Sequence, residues 1–327
     1  MEAMPASPMR RLNRSAIFED LAYEPHPGQL LVHQSAALRR VLACGTRFGK
    51  STCAAMEACV GLLEPRSATL GWVIAPTYDL TKRIWLRVVQ TFQERLPHRV
   101  KEVLPREHRL LVVNLAGGIS ELRAKSADQP AGLLGEALDF VVIDEAGSVR
   151  DDVWPSYVMP RLIDRRGWSL VVGTPKGPGW FYAEFKRGQK NRDPDCESWA
   201  MPSWTNPHVS AETIEAEKNR LTPELFDQQF GAKFIGVPKE PCETCGGPRE
   251  DAIGKIEAPV GFDEDDASFL AECPECGMFV DAEGRCLVKK SNRWYASFWI
   301  DRPWTERGSL SIYSWHSWEA EHDWHQG

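Results

Sequence analysis

The chain has 327 residues, 43% hydrophobic and 26% charged, which suits one large domain with a substantial core plus a smaller one. Its formal net charge of −7 excludes a protein that coats nucleic acid by bulk charge, so any DNA contact has to come from local basic faces. No run of about 18 apolar residues occurs, and Met1–Pro5 lacks a basic region ahead of a hydrophobic one, so neither a membrane span nor a signal peptide is expected and the cytosol is the expected compartment.

Residues 1–22 carry scattered charges without an apolar period and read as an arm or a peripheral helix. Pro25, Pro27 and Gly28 then fix a turn before a helical run from Leu30. Gln29 at that turn has an amide that offers a donor and an acceptor together; it either reads an adenine edge or is a solvated helix-start residue.

From Val41 an apolar strand runs into Gly45-Thr46-Arg47-Phe48-Gly49-Lys50-Ser51-Thr52 and then into a helix of small residues ending near Leu63. This is the outline of a phosphate-binding loop: backbone N–H groups at a helix N-terminus converge on an anion, the lysine adds a point charge, and a hydroxyl, here from Ser51, serves Mg²⁺. Cys44 occupies the position where the general pattern has its first glycine.

A buried strand is expected over Thr69–Ala75, and a helix over about 79–96 brings Lys82, Arg83 and Arg87 together on what reads as a solvated face. Arg109–Asn114 and Ile119–Arg123 read as a hairpin across Gly117 and Gly118. Leu138–Ile143 has five apolar positions in six, the pattern of a central parallel strand covered on both faces. It delivers Asp144 and Glu145 to its C-terminal end, where nucleotide hydrolysis needs one acid to hold Mg²⁺ and another to orient and deprotonate water. We assign Asp144 to the metal and Glu145 to the water. After a helical connection over Asp151–Arg166, the strand Ser169–Gly173 ends at Thr174, whose hydroxyl is the candidate sensor of the γ-phosphate; a Thr-Pro turn chosen for its geometry is the alternative.

With these motifs in order, the chain resembles the ATPase half of the large terminase subunit of tailed bacteriophages. The resemblance rests on the Gln29 segment, the Gly45–Ser51 loop, Phe140–Ala146 and Val172–Gly177, supported by Ile74–Tyr78 and Leu221–Phe230, and covers residues 23–235. It implies an α/β fold, with a mostly parallel sheet flanked by helices and a helical lid at about 178–235. It also implies an ATP-hydrolysing, Mg²⁺-dependent motor that acts as a ring-forming homo-oligomer on double-stranded DNA in the host cytoplasm. Its partners would be the portal, the small terminase subunit and a possible separate nuclease subunit. By position Gln29, Lys50, Ser51, Asp144, Glu145 and Thr174 inherit adenine, phosphate, metal, base and coupling roles. Many relatives have arginine where Thr46 stands, so a γ-phosphate arginine from this loop would be Arg47; relatives also carry one near Leu133–Gly135, a role that would pass here to Arg150, Arg161 or Arg165. A helicase-like or DNA-remodelling ATPase and a nucleotide-regulated zinc-containing scaffold are the competing functions.

Beyond residue 235 the composition changes. Cys242, Cys245, Cys273 and Cys276 form two Cys-x-x-Cys knuckles, each followed by glycine, the ligand spacing of a closed structural Zn²⁺ ribbon over residues 236–290. Cys44, Cys53, Cys59 and Cys196 read as small core residues. Residues 291–327 read as a β-hairpin, Arg293–Asp301 with Ser309–Trp315, and a tail; without a full set of carboxylates, no complete two-metal nuclease is expected.

Overall fold

The computed structural model describes residues 12–189 and 193–237, together with four short strands between 271 and 296. The chain divides into two units, Met1–Val237 and Pro238–Gly327.

The first unit is built on an eight-stranded sheet. Its strands are β1 (Arg39–Cys44), β2 (Ala68–Ala75), β3 (Val100–Leu104), β4 (Arg109–Val113), β5 (Ile119–Ser126), β6 (Phe140–Ile143), β7 (Trp168–Gly173) and β8 (Cys196–Met201), in the spatial order β3-β4-β5-β2-β6-β7-β1-β8. From β5 to β8 every pairing is parallel, while β3 and β4 add an antiparallel edge. The expected hairpin therefore forms, with Arg109 opposite Arg123 and Val113 opposite Ile119.

The central strands are apolar on both faces because each face feeds a different core. Leu42, Phe140, Val142, Leu170 and Val172 pack with α3 (Lys50–Leu63) and α4 (Tyr78–Arg95) on one side. Their neighbours Val41, Ala43, Val141, Ile143 and Val171 pack on the other with Leu133, Trp154, Leu162, Trp180 and Phe181. Helix α4 is amphipathic: Ile84, Trp85, Val88, Val89 and Phe92 recur at three- and four-residue steps and are buried, and Thr77 caps its N-terminus.

The structure refines three expectations. Of the arm and the peripheral helix expected for residues 1–22, the described residues show a helix, α1 (Arg14–Asp20), which with its C-cap Leu21 buries Ile17, Phe18 and Leu21 in the main core. The helical connection expected over 151–166 forms in an irregular way, as a π turn (Trp154–Val158) followed directly by a 3₁₀ turn (Met159–Leu162). Pro155 and Pro160 each stand in the first turn, where a missing backbone donor is tolerated. The segment 178–235 is not purely helical. Besides α5 (Trp180–Gln189), α6 (Ala211–Arg220) and α7 (Pro223–Gln229) it contributes β8, which pairs in parallel with β1 at the sheet edge.

In the second unit β9 (Ala271–Glu272), β10 (Phe279–Val280), β11 (Cys286–Lys290) and β12 (Arg293–Ala296) form an antiparallel sheet in sequence order. Leu287 pairs with Ala296 and Lys290 with Arg293, so the sheet runs across the boundary expected at residue 290. The four predicted zinc ligands and the strand predicted over Ser309–Trp315 lie outside the described residues. Among the described residues no helix is long and apolar enough to cross a membrane.

Candidate nucleotide site

The phosphate loop leaves β1 and enters α3 through Gly49, whose φ of 96° is in the left-handed region. A Cβ there would also lie 2.8 Å from Nε2 of Gln29, so glycine meets both a conformational and a steric demand.

Backbone hydrogen bonds divide the loop. The N–H groups of Gly45, Thr46 and Phe48 donate to the carbonyls of Met201 (3.0 Å), Gln229 (2.6 Å) and Gly45 (3.3 Å), and that of Thr52 donates to Gly49 (3.1 Å). Among the described residues nothing takes up the N–H groups of Gly49, Lys50 and Ser51. Helix N-termini leave such donors free, and here they point the anion-binding part of the loop to residues 49–51. Phe48 is fully buried against the His26 ring, 4.8 Å between centroids, so its side chain has a packing role.

Further contacts brace the loop from two directions. On one flank His26 Nε2 lies 2.9 Å from the Phe48 carbonyl oxygen, which makes it the donor, and Gln29 Nε2 donates to the Gly49 carbonyl at 3.1 Å. Gln29 Oε1 accepts from the His26 N–H at 3.2 Å, so both halves of the predicted adenine-reading amide are engaged in holding the loop. On the other flank Ser203 Oγ donates to the Thr46 carbonyl at 2.5 Å and Asn206 Nδ2 to the Arg47 carbonyl at 2.8 Å. Sequence reasoning missed His26, Ser203, Asn206 and Gln229 as loop contacts, since three of them lie more than 150 positions from the loop and nothing in their spacing ties them to it.

At the C-terminal ends of β1 and β6 the charged groups meet. Ser51 Oγ donates to Asp144 Oδ2 at 2.9 Å, and Lys50 Nζ lies 3.2 Å from Glu145 Oε1. Glu145 has φ 51°, an unusual left-handed conformation for a residue with a side chain, and its N–H donates to Asp144 Oδ1 at 2.9 Å. Burial pushes the Asp144 carboxyl above its ordinary range and Glu145 adds to the rise, while Lys50 and Ser51 pull the other way. Burial alone would lower Lys50, but the negative charge around it, from Glu145 and Asp144, carries it above its ordinary value. The neighbouring Cys44 contributes no charge at neutral pH, because its own burial drives its thiol upward.

Strand β7 lies between β1 and β6, so its tip, Thr174, half-buried, stands between the loop and the acids. Of the arginines considered, Arg47 is exposed at φ 67°, and its guanidinium has no partner among the described residues. Arg150 pairs with Asp152 at 2.5 Å and Arg165 with Asp139 at 2.7 Å. Arg161 is half-buried, with its Nε shielded from solvent and without a partner. Cys44, Cys53 and Cys59 are buried, whereas Cys196 is half-exposed beside Asp193, its thiol pushed up to about 12 by burial and that carboxylate.

Behind the loop lies a second charged cluster that the sequence did not announce. Glu57, midway along α3, is fully buried; it touches Arg14, His33 Nδ1 (2.6 Å) and Arg40 Nη2 (2.6 Å, a close ion contact short of a directed hydrogen bond). His33 Nε2 lies 3.0 Å from Tyr23 Oη. Burial lowers the affinity of His33 for a second proton, outweighing Glu57, so the ring is neutral: Nδ1–H donates to Glu57 and Nε2 accepts from the tyrosine.

No family model matches the chain. It is 39% identical over 262 residues to the terminase large subunit of Thermus phage G20c, an alignment covering 69% of this chain and 52% of that one. It spans about half the length of the curated relatives it matches. Among solved structures the large terminase ATPase domain of Thermus phage P74-26 is 36% identical with a TM-score of 0.63, covering 69% of this chain and 100% of that domain. The HK97 bacteriophage large terminase, at 15% identity and a TM-score of 0.54 over 65% of this chain and 51% of that one, shares the fold. With relatives 39% identical over 69% of its length and a solved large terminase ATPase domain matched along that domain's whole length, the chain belongs to the phage terminase large-subunit family.

Proposed function

We propose that this chain is the ATP-hydrolysing part of a phage packaging motor that translocates double-stranded DNA into a procapsid. The observation that carries the reading is the convergence of Lys50, Ser51, Asp144 and Glu145 at the C-terminal edge of a parallel sheet, beside free N–H groups at the start of α3. In open α/β sheets this edge is where ligands bind.

The N–H groups of residues 49–51 and the Lys50 ammonium would receive the β- and γ-phosphates. Lys50 is paired with Glu145 at 3.2 Å; phosphate oxygens that draw the lysine away would leave the Glu145 carboxylate free to orient and deprotonate a water. Ser51 Oγ and Asp144 Oδ2, 2.9 Å apart, are the hard oxygen donors that Mg²⁺ prefers, and they would hold it beside the phosphates, where it neutralises developing charge. Thr174 would sense the γ-phosphate, and Arg47 is the loop cation with no competing partner among the described residues. The committed amide of Gln29 supports a loop-bracing role, with adenine contact requiring it to release one of its two bonds.

Beyond this domain we propose that Cys242, Cys245, Cys273 and Cys276 hold a structural Zn²⁺, and that the chain works as a ring of copies in the host cytoplasm. It would act with a portal and a small terminase subunit.

The decisive experiment replaces Glu145 with Gln. Nucleotide binding should persist while steady-state ATP turnover falls by about 10²- to 10⁴-fold. Retained turnover would remove the assignment. Unwinding of a forked duplex in the absence of a procapsid would favour a helicase-like ATPase.

A further inference from the structure

Lys82, Arg83 and Arg87 share the exposed face of α4, and no carboxylate partner is recorded for any of them among the described residues. Arg83 and Arg87 are one helical turn apart, where like charges repel by about 0.2–0.5 kcal/mol. In a chain of net charge −7 such an uncompensated cluster needs a reason.

Arg87 is distinguished from the other two by where it reaches. Its guanidinium crosses from α4 to α3 and donates through Nη1 to Oγ1 of Thr52. Thr52 directly follows Lys50 and Ser51 in the first turn of α3, so this hydrogen bond ties Arg87 to the residue next in sequence to the free N–H groups of residues 49–51. A hydroxyl accepting from an arginine uses a fraction of that donor fork; the remaining N–H groups of Arg87 have no recorded protein acceptor.

Resting on the nucleotide site proposed above, we infer that Arg87 is a nucleotide ligand acting within its own chain, on the phosphate nearest Thr52. Glu145 and the metal-holding pair Ser51–Asp144 lie together on the hydrolysis side of Lys50. Thr52 follows them along α3, which matches the loop's cradling of α- and β-phosphates by its helix-start residues. Arg87 therefore contacts a phosphate shared by ATP and ADP. It contributes ground-state binding and leaves the chemical step alone.

The test measures Kd for ATP and ADP by titration and steady-state hydrolysis in the full chain carrying Arg87→Ala, Arg87→Lys, Lys82→Ala or Lys50→Ala. A charge-assisted hydrogen bond corresponds to about 10- to 150-fold in affinity. Arg87→Ala should weaken ATP and ADP by the same factor in that range and leave kcat at saturating ATP unchanged. Arg87→Lys should recover part of the loss, and Lys82→Ala, on the same helix without the Thr52 contact, should bind normally. Unchanged Kd values for Arg87→Ala would overturn the inference, as would a fall in kcat at unchanged ADP affinity, which would make Arg87 a transition-state group. Normal binding by Lys50→Ala would instead refute the nucleotide site itself.

Discussion

Helix α3 carries a cluster of charge at each of two levels, and the two are wired in opposite ways. At its first turn Lys50 and Ser51 face Glu145 and Asp144 at the edge of the sheet; two turns on, Glu57 is enclosed by Arg14, Arg40 and His33. The inner carboxylate is held well below its usual range: burial alone would raise it, but Arg14, Arg40 and the His33 hydrogen bond outweigh that. The outer carboxylate of Asp144 is pushed up, by burial first and by the neighbouring Glu145 next, and Lys50 and Ser51 do not offset the rise. The inner cluster is complete in the protein alone. The outer one is short of positive charge, which Mg²⁺ would supply.

Removing the inner charge should produce the largest effect. Glu57→Gln leaves Arg40 buried without its counter-ion and should cost about 3–5 kcal/mol of stability in denaturant melts, with nucleotide affinity of the folded fraction unchanged. The outer cluster should respond in reverse. Lys50→Ala should lose about 1.5–3 kcal/mol of ATP binding in titrations while the nucleotide-free protein melts close to wild type. A mutation in the loop that bears no charge tests whether geometry contributes separately: in Gly45→Ala the new Cβ would lie 2.4 Å from Ser203 Oγ and 2.5 Å from the Phe230 carbonyl, so about 1–3 kcal/mol of stability should be lost.

The smallest effect is a dependence on pH with opposite signs for the two acids. Glu57, depressed in the fold, stabilises above its unfolded value, and that contribution disappears as pH falls through its folded value. Asp144, raised in the fold, does the converse: nucleotide-free stability declines as pH climbs from the ordinary aspartate range through the raised value. Melts of Glu57→Gln should lose the acid-side fall, and melts of Asp144→Asn the decline on the other side. Identical pH profiles in both variants would mean that the two clusters are not distinct.

Local features were legible where the physics is local. Alternating and continuous apolar runs identified β1, β2, β6 and β7, and the Gly-Lys-Ser turn located the start of α3. The helical character of the connection over Asp151–Arg166 was legible, whereas its π and 3₁₀ geometry was not, because residue type does not distinguish one tight helical turn from another. Strand β8 was overlooked because Cys196–Met201 is partly exposed at a sheet edge and lacks the continuous hydrophobicity of the inner strands.

The sequence by itself determined the chemistry on offer: a loop with a lysine and a hydroxyl, two acids at the end of a buried strand, and a threonine at the end of another. Tertiary structure alone decided which of those groups remain available. Gly45, Thr46 and Phe48 spend their N–H groups within the protein, Gln29 is tied to the loop, and Arg87 is brought to Thr52 from 35 residues away. The reason is that a residue's type fixes what it can donate or accept, whereas its partners come from distant segments that only the folded sheet and its covering helices bring within hydrogen-bonding distance.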